Sequence, residues 1–153
     1  MGASAHTPPR WGQFLDVGPE QHAALKHGSY RLAACGAGWD VIVVAPLVLG
    51  LAALDVLGLV PGTGHGVVAD RSRRELLVLV PPGTALPADG GVPEGVRLLS
   101  RGSWVALPCG LLGTWAASWV GGPVLGEVRH VDAGALMRAV SAADADRSAG
   151  ACP

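Results

Sequence analysis

Asp70, Arg71, Ser72, Arg73 and Arg74 set one carboxylate beside three guanidinium groups, and Arg97 and Arg101 follow within thirty residues. Carboxylates hold divalent cations, whereas guanidinium forks clamp phosphate oxygens. A lone acid hemmed in by arginines is a poor magnesium site, because neighbouring positive charge competes with the metal. The pattern points to phosphate or nucleic-acid binding by Arg71, Arg73, Arg74, Arg97 and Arg101, with Asp70 as the candidate acidic position. Against that stands the plainer reading of a solvated hairpin tip. Trp104, Trp115 and Trp119 are candidates for stacking nucleobases or for an interface. With one Phe and one Tyr in the chain, the tryptophans must also supply nearly all the aromatic bulk of a core.

Other constellations are weaker. Gly62, Thr63, Gly64, His65 and Gly66 form a glycine-rich stretch without the Lys-Ser/Thr of a phosphate loop, and it precedes a strand. Cys109 has no spacing that ties it to His65 or His130, and a packed thiol is the simpler account. Ser100, Ser103 and Ser118 lie in no G-x-S-x-G elbow. Cys35, Cys109 and Cys152 are odd in number and far apart, which suggests neither zinc nor a redox pair and fits a reduced cytoplasm.

These residues need elements to position them. The chain has 153 residues, 50% hydrophobic and 15% charged, enough for one core. Its formal net charge of -1 gives no broad cationic field of the kind that drives non-specific nucleic-acid binding. Ten Arg against one Lys, amid much Ala, Gly, Val and Leu, resembles the product of a high-GC genome such as an actinobacterium's. Residues 1–18 read as a flexible tail and not a signal peptide, 19–147 as a single domain, and 148–153 as a second tail. The apolar run Val41–Leu54 is split by Pro46. As a helix of about fourteen residues it would reach ~21 Å, short of a ~30 Å membrane core.

Periodicity predicts a helix over Pro19–Cys35, a strand over Asp40–Ala45 buried on both faces, and a helix over Leu47–Leu57 ended by Gly58. Gly66–Ala69 and Glu75–Val80 then form a hairpin, and Pro81–Gly95 is a long loop that ranks high as a ligand-proximal segment. Val96–Leu99 and Ser103–Leu107 suggest a second hairpin, Trp115–Val120 an edge strand, and Asp132 the cap of a last helix. The expected class is α+β: one mixed, mainly antiparallel sheet with flanking helices.

The segment Gly66–Gly121 resembles the core of bifunctional primase-polymerase N-terminal domains. The likeness is carried by a strand ending in Asp70, by RRELLVLVPPG from Arg73, and by GVRLLSRGSWVALP from Gly95 followed by a tryptophan. Gly95, Val96, Gly102, Val105 and Pro108 match the family's G-V-x-x-x-x-x-G-x-x-V-x-x-P hairpin, and GAGWDVIVV from Gly36 is similar to its early strand. The likeness covers roughly two thirds of the chain. It implies a primase-polymerase-like fold and, in active members, two metal ions for nucleotidyl transfer. This sequence departs from the pattern at the residues that matter. Where the family has D-x-D or D-x-E it has Asp70-Arg71-Ser72, and where the family has Arg-His it has Arg74-Glu75.

Two functional expectations follow. The first is a degenerate primase-polymerase-like domain that binds nucleotide or nucleic acid without catalysis and needs no cofactor; magnesium or manganese enters only if Asp70 retains metal. The alternative is a protein-interaction module that keeps the sheet as a scaffold and grips a partner, or a second copy, through Trp115, Trp119 and the Pro81–Gly95 loop. Neither involves a membrane. A second carboxylate near Asp70, such as Asp40 or Asp55, would change the metal argument.

Overall fold

The computed structural model describes residues 10–87, 90–121 and 126–150. In chain order, a 3-10 turn at Trp11–Phe14 is followed by α1 (Pro19–His27), β1 (Ser29–Ala34), β2 (Asp40–Val44), α2 (Leu47–Leu57), β3 (Val67–Asp70) and β4 (Glu75–Val80). Then come β5 (Val96–Leu99), β6 (Trp104–Cys109), β7 (Ser118–Trp119) and α3 (Ala133–Gly150). The class is α+β. The strands form two sheets, one of five strands in the order β5-β2-β4-β3-β7 and one of two, β1-β6, and every ladder in them is antiparallel.

The uninterrupted apolar runs of β2 and β4 require cover on both sides, and the molecule supplies it from different elements. Side chains alternate across a strand. Ile42, Val44, Leu76, Val78 and Val80 therefore face one layer, built from α2 and α3, where Leu51, Leu54, Leu136 and Val140 join them. Val41, Val43, Leu77 and Leu79 face the other, a smaller core closed by Ala33, Val105 and Leu107 of the β1-β6 ribbon. Fully burying one such leucine stabilises the fold by about 1.5–3 kcal/mol. The helical layer is close-packed to the backbone: a Cβ on Gly50 of α2 would lie 2.7 Å from Leu76. No helix among the described residues is long and apolar enough to cross a membrane.

The second sheet corrects the expectation of one. Pro19–Cys35 was expected to be a single helix, but α1 ends at His27 and the chain turns at Gly28 into β1. Gly28 permits this by close approach, since a Cβ there would stand 1.8 Å from the carbonyl oxygen of Gly113. β1 then takes β6 as its partner, with Ala33 opposite Val105. The expected β5-β6 hairpin is thereby split between sheets, β5 pairing with β2. SYRLAA is amphipathic by neither period, buries only Ala33, and acquires its strand form from β6.

Near the N-terminus, Trp11–Phe14 is not the flexible tail expected. Trp11 is 1% exposed and belongs to the main core. Its indole N–H donates to the Leu59 carbonyl (2.8 Å), and its backbone N–H donates to Asp55 Oδ1 (2.9 Å). Residues 11–14 are thus docked on the end of α2; residues 1–9 lie outside the described residues. At the other end α3 continues through Gly150 rather than stopping at 147. Asp132 caps it as expected, its Oδ2 accepting from the Ala135 N–H at 2.8 Å.

Candidate functional site

The charge-dense turn between β3 and β4 takes its shape from its own side chains. Asp70 Oδ1 accepts from the Arg73 backbone N–H (2.9 Å), and Arg74 adopts the left-handed conformation with φ 57°. The Arg74 carbonyl then accepts from the Leu47 N–H at 2.7 Å, the first donor of α2. The turn therefore rests on the start of α2, and two of its arginines, Arg73 and Arg74, line two concavities.

The first is a cleft of about 270 Å³ between the sheets. Its floor is Val43, Leu77 and Leu99, its ribbon wall Tyr30, Leu32 and Trp104, and its rim Asp70, Arg73, Glu75 and Arg97. The β3-β4 register sets Asp70 opposite Glu75, which is the second carboxylate that sequence reasoning sought at Asp40 or Asp55. Those two are engaged elsewhere: Asp40 Oδ2 accepts from the Gly83 and Thr84 N–H groups (2.9 and 3.1 Å), and Asp55 holds Trp11.

The residues at Asp70 do not fit a two-metal centre. Both oxygens of Glu75 accept from Arg97, Nη1 to Oε1 at 2.8 Å and Nη2 to Oε2 at 3.0 Å, and this hydrogen bonding raises the Arg97 pKa. Arg73 Nε stands 4.0 Å from Asp70 Oδ2. Each acid already has a cation beside it, and a divalent ion would have to displace one. No group of three or more His, Cys, Asp or Glu among the described residues is arranged to hold a metal.

The second concavity, about 400 Å³, lies at the start of α2 and is lined by Ala45, Pro46, Leu49, Arg73, Arg74, Glu94, Gly95, Asp144 and Arg147. Arg147 comes from α3, whose packing on α2 carries it to the turn; sequence reasoning missed it because nothing local marks a helix-end arginine as functional. Three guanidinium groups meet two carboxylates here, and neither Arg74 nor Arg147 forms an ion pair among the described residues. Its formal surplus is the single charge of Arg73, which also lines the cleft beside Asp70; Arg74 and Arg147 are matched in number by Glu94 and Asp144.

The remaining candidates disperse. Arg71 is half-buried on another side, where Nη1 donates to Ser118 Oγ and Nη2 to the Phe14 carbonyl (3.1 Å), with the guanidinium 5.6 Å from the Trp115 ring centre. Burial lowers its pKa. Trp115 also meets His22 edge-on at 5.0 Å. Trp119 packs against the smaller core, and Trp104 stands exposed at the cleft. Arg101 lies in the β5-β6 turn against Gly36 and lines neither concavity. Part of the Pro81–Gly95 loop, at Ala85, Leu86, Pro87 and Gly91, borders a cavity of about 560 Å³ with α3; residues 88–89 lie outside the described residues.

Cysteine chemistry has little support from the geometry. Burial, reinforced by Asp40, pushes the Cys35 thiol up, so it stays protonated and unreactive. Thr63 Oγ1 lies 2.8 Å from the Val60 carbonyl and 3.1 Å from His65 Nδ1. The hydroxyl hydrogen is given to Val60, which leaves His65 as the donor to Thr63 and not a base acting on it.

No family model, curated protein or solved structure matches the chain.

Proposed function

We propose that this chain is a degenerate primase-polymerase-like domain that binds a nucleotide or nucleic acid through phosphate and performs no polymerisation. The observation that carries the reading is the cavity at the start of α2, where Arg74 and Arg147 form no ion pair among the described residues and Arg73 also lines the cleft. Guanidinium forks recognise phosphate oxygens in pairs. Trp104 and Tyr30 on the far wall of the cleft offer ring faces for bases, and Arg73 lines both concavities. The non-catalytic part of the proposal is supported by Arg97 holding both oxygens of Glu75, the residue opposite Asp70 in the ladder.

Fluorescence anisotropy with labelled oligo-deoxythymidine tests the reading. About three phosphate contacts on a single strand predict a roughly 20-fold loss of affinity between 50 and 200 mM salt. Binding that ignores salt, or none at low salt, overturns it. Nucleotide incorporation on a primed template with magnesium or manganese is expected to be nil, and a clear signal would refute the non-catalytic part.

A second reading, a surface for another protein or a second copy of the chain, is favoured by one observation. Tyr30, Leu32 and Trp104 are 51%, 65% and 64% exposed and neighbour one another on the ribbon. Large exposed apolar groups in one patch mark interaction surfaces. Sedimentation equilibrium separates the two: this reading predicts a dimer that Trp104→Ser dissolves, whereas the first predicts a monomer whose oligonucleotide binding falls with that substitution.

A further inference from the structure

Arg71 is a cation without a counter-ion among the described residues. Its recorded acceptors, Ser118 Oγ and the Phe14 carbonyl, are both neutral. Its Nε–H is buried and finds no acceptor, and no carboxylate among the described residues lies within ion-pair distance. A half-buried guanidinium whose only acceptors are neutral gains from an anion that reaches it. Trp115 covers the guanidinium but supplies only a fraction of that compensation.

Beside Arg71 lies a cavity of about 380 Å³, within the range of small-molecule sites. It is walled by Phe14, Val17, Leu25, Leu112 and Trp119, with Leu111, 67% exposed, also in its lining. The α1 segment, the stretch after β6 and β7 build it, and it shares no residue with the arginine cavity at α2. One unpaired positive charge set in an apolar wall defines a ligand with one negative charge and an apolar body.

We propose that this cavity binds a small amphipathic carboxylate, its apolar body held among Phe14, Val17, Leu25 and Trp119 and its carboxylate on the Arg71 guanidinium. The planar fork matches a carboxylate and balances a single charge. A phosphate monoester would bring a second negative charge to a lining that, among the described residues, holds Arg71 as its one cationic side chain. A neutral apolar molecule would fill the space and leave Arg71 uncompensated.

Isothermal titration of the full chain with octanoate, below its micellar range, tests this. The expected result is saturable 1:1 binding that is at least ~10-fold tighter than that of octanol, the difference a hydrogen-bonded charge pair makes. Arg71→Gln should lose a similar factor. Because Arg71 also ties Phe14 to Ser118, that variant can fail to fold, so Leu111→Glu provides the second arm. It leaves those bonds in place, adds a negative charge at an exposed lining position, and should weaken octanoate while leaving octanol nearly unchanged. The proposal is overturned by absence of saturable octanoate binding, by octanol binding equally well, by octyl phosphate binding more tightly than octanoate, or by indifference of octanoate to Leu111→Glu.

Discussion

The cleft between the sheets and the cavity at the start of α2 share Arg73 yet differ in what their charges are free to do. In the cleft, Arg97 is paired with Glu75, and Arg73 leans towards Asp70. Those charges cancel one another and set the geometry of the strand ends. In the cavity, Arg74 and Arg147 form no ion pair among the described residues although Glu94 and Asp144 share the lining, so their guanidinium donors, and not a net field, remain available to a ligand. Arginine number is therefore a poor guide to binding in this protein. What decides is whether the fold has already delivered a carboxylate to each guanidinium.

The sharpest way to break this contrast is charge reversal. Arg74→Glu with Arg147→Glu should weaken single-stranded oligonucleotide binding by about 100-fold at low salt, two charge-assisted contacts of about 1.5 kcal/mol each. Anisotropy measures it directly. Arg97→Ala should leave that affinity within about threefold, since its guanidinium is already occupied, and a loss comparable to the double reversal would show the two regions to be one site.

Stability separates the regions in the opposite sense. Arg97→Ala strands the Glu75 carboxylate, whose side chain is only 14% exposed, and should cost about 1 kcal/mol in urea unfolding. Arg97 is itself nearly half exposed, so the larger values of buried pairs do not apply. Arg74→Gly should stabilise the fold by a similar amount, because glycine accepts φ 57° without the penalty a Cβ carries there. The same variant loses a phosphate contact, so stability should rise while affinity falls several-fold.

The smallest expected effect concerns His65, near Arg129 and outside both regions. Burial, and secondarily Arg129, hold its pKa below the usual imidazole value. The folded state thus disfavours the charged ring. The stabilisation is complete above the unfolded-state pKa of about 6.5 and is lost as pH falls through the lower folded-state value. Thermal melts should show a shallow loss below about pH 6.5 that His65→Gln flattens, while the contrast between the arginine sets persists across that window.

Much of the framework was legible because it depends on local pattern. DVIVV and ELLVLV can only be strands covered on both faces, LVLGLAALDVL stops at a glycine that takes the left-handed conformation, and Asp132 caps its helix. The charged turn after β3 was likewise visible. The ribbon was not, since SYRLAA has no period of its own and Gly28 matters only for its closeness to Gly113, far away in the chain. Trp11 read as part of a tail because its polar partners, Leu59 and Asp55, are more than forty residues distant.

The candidate site divides along the same line. Residue types and apolar alternation determined that an acid and three arginines would crowd one hairpin tip, since both are properties of consecutive residues. Only the tertiary structure decided that Glu75 would answer Asp70 and be taken by Arg97, that Arg71 would turn inward without a counter-ion, and that Arg147 would arrive from α3. Coulomb interactions and hydrogen bonds depend on distance in space, and the packing of α3 on α2 and of the ribbon on the sheet sets those distances.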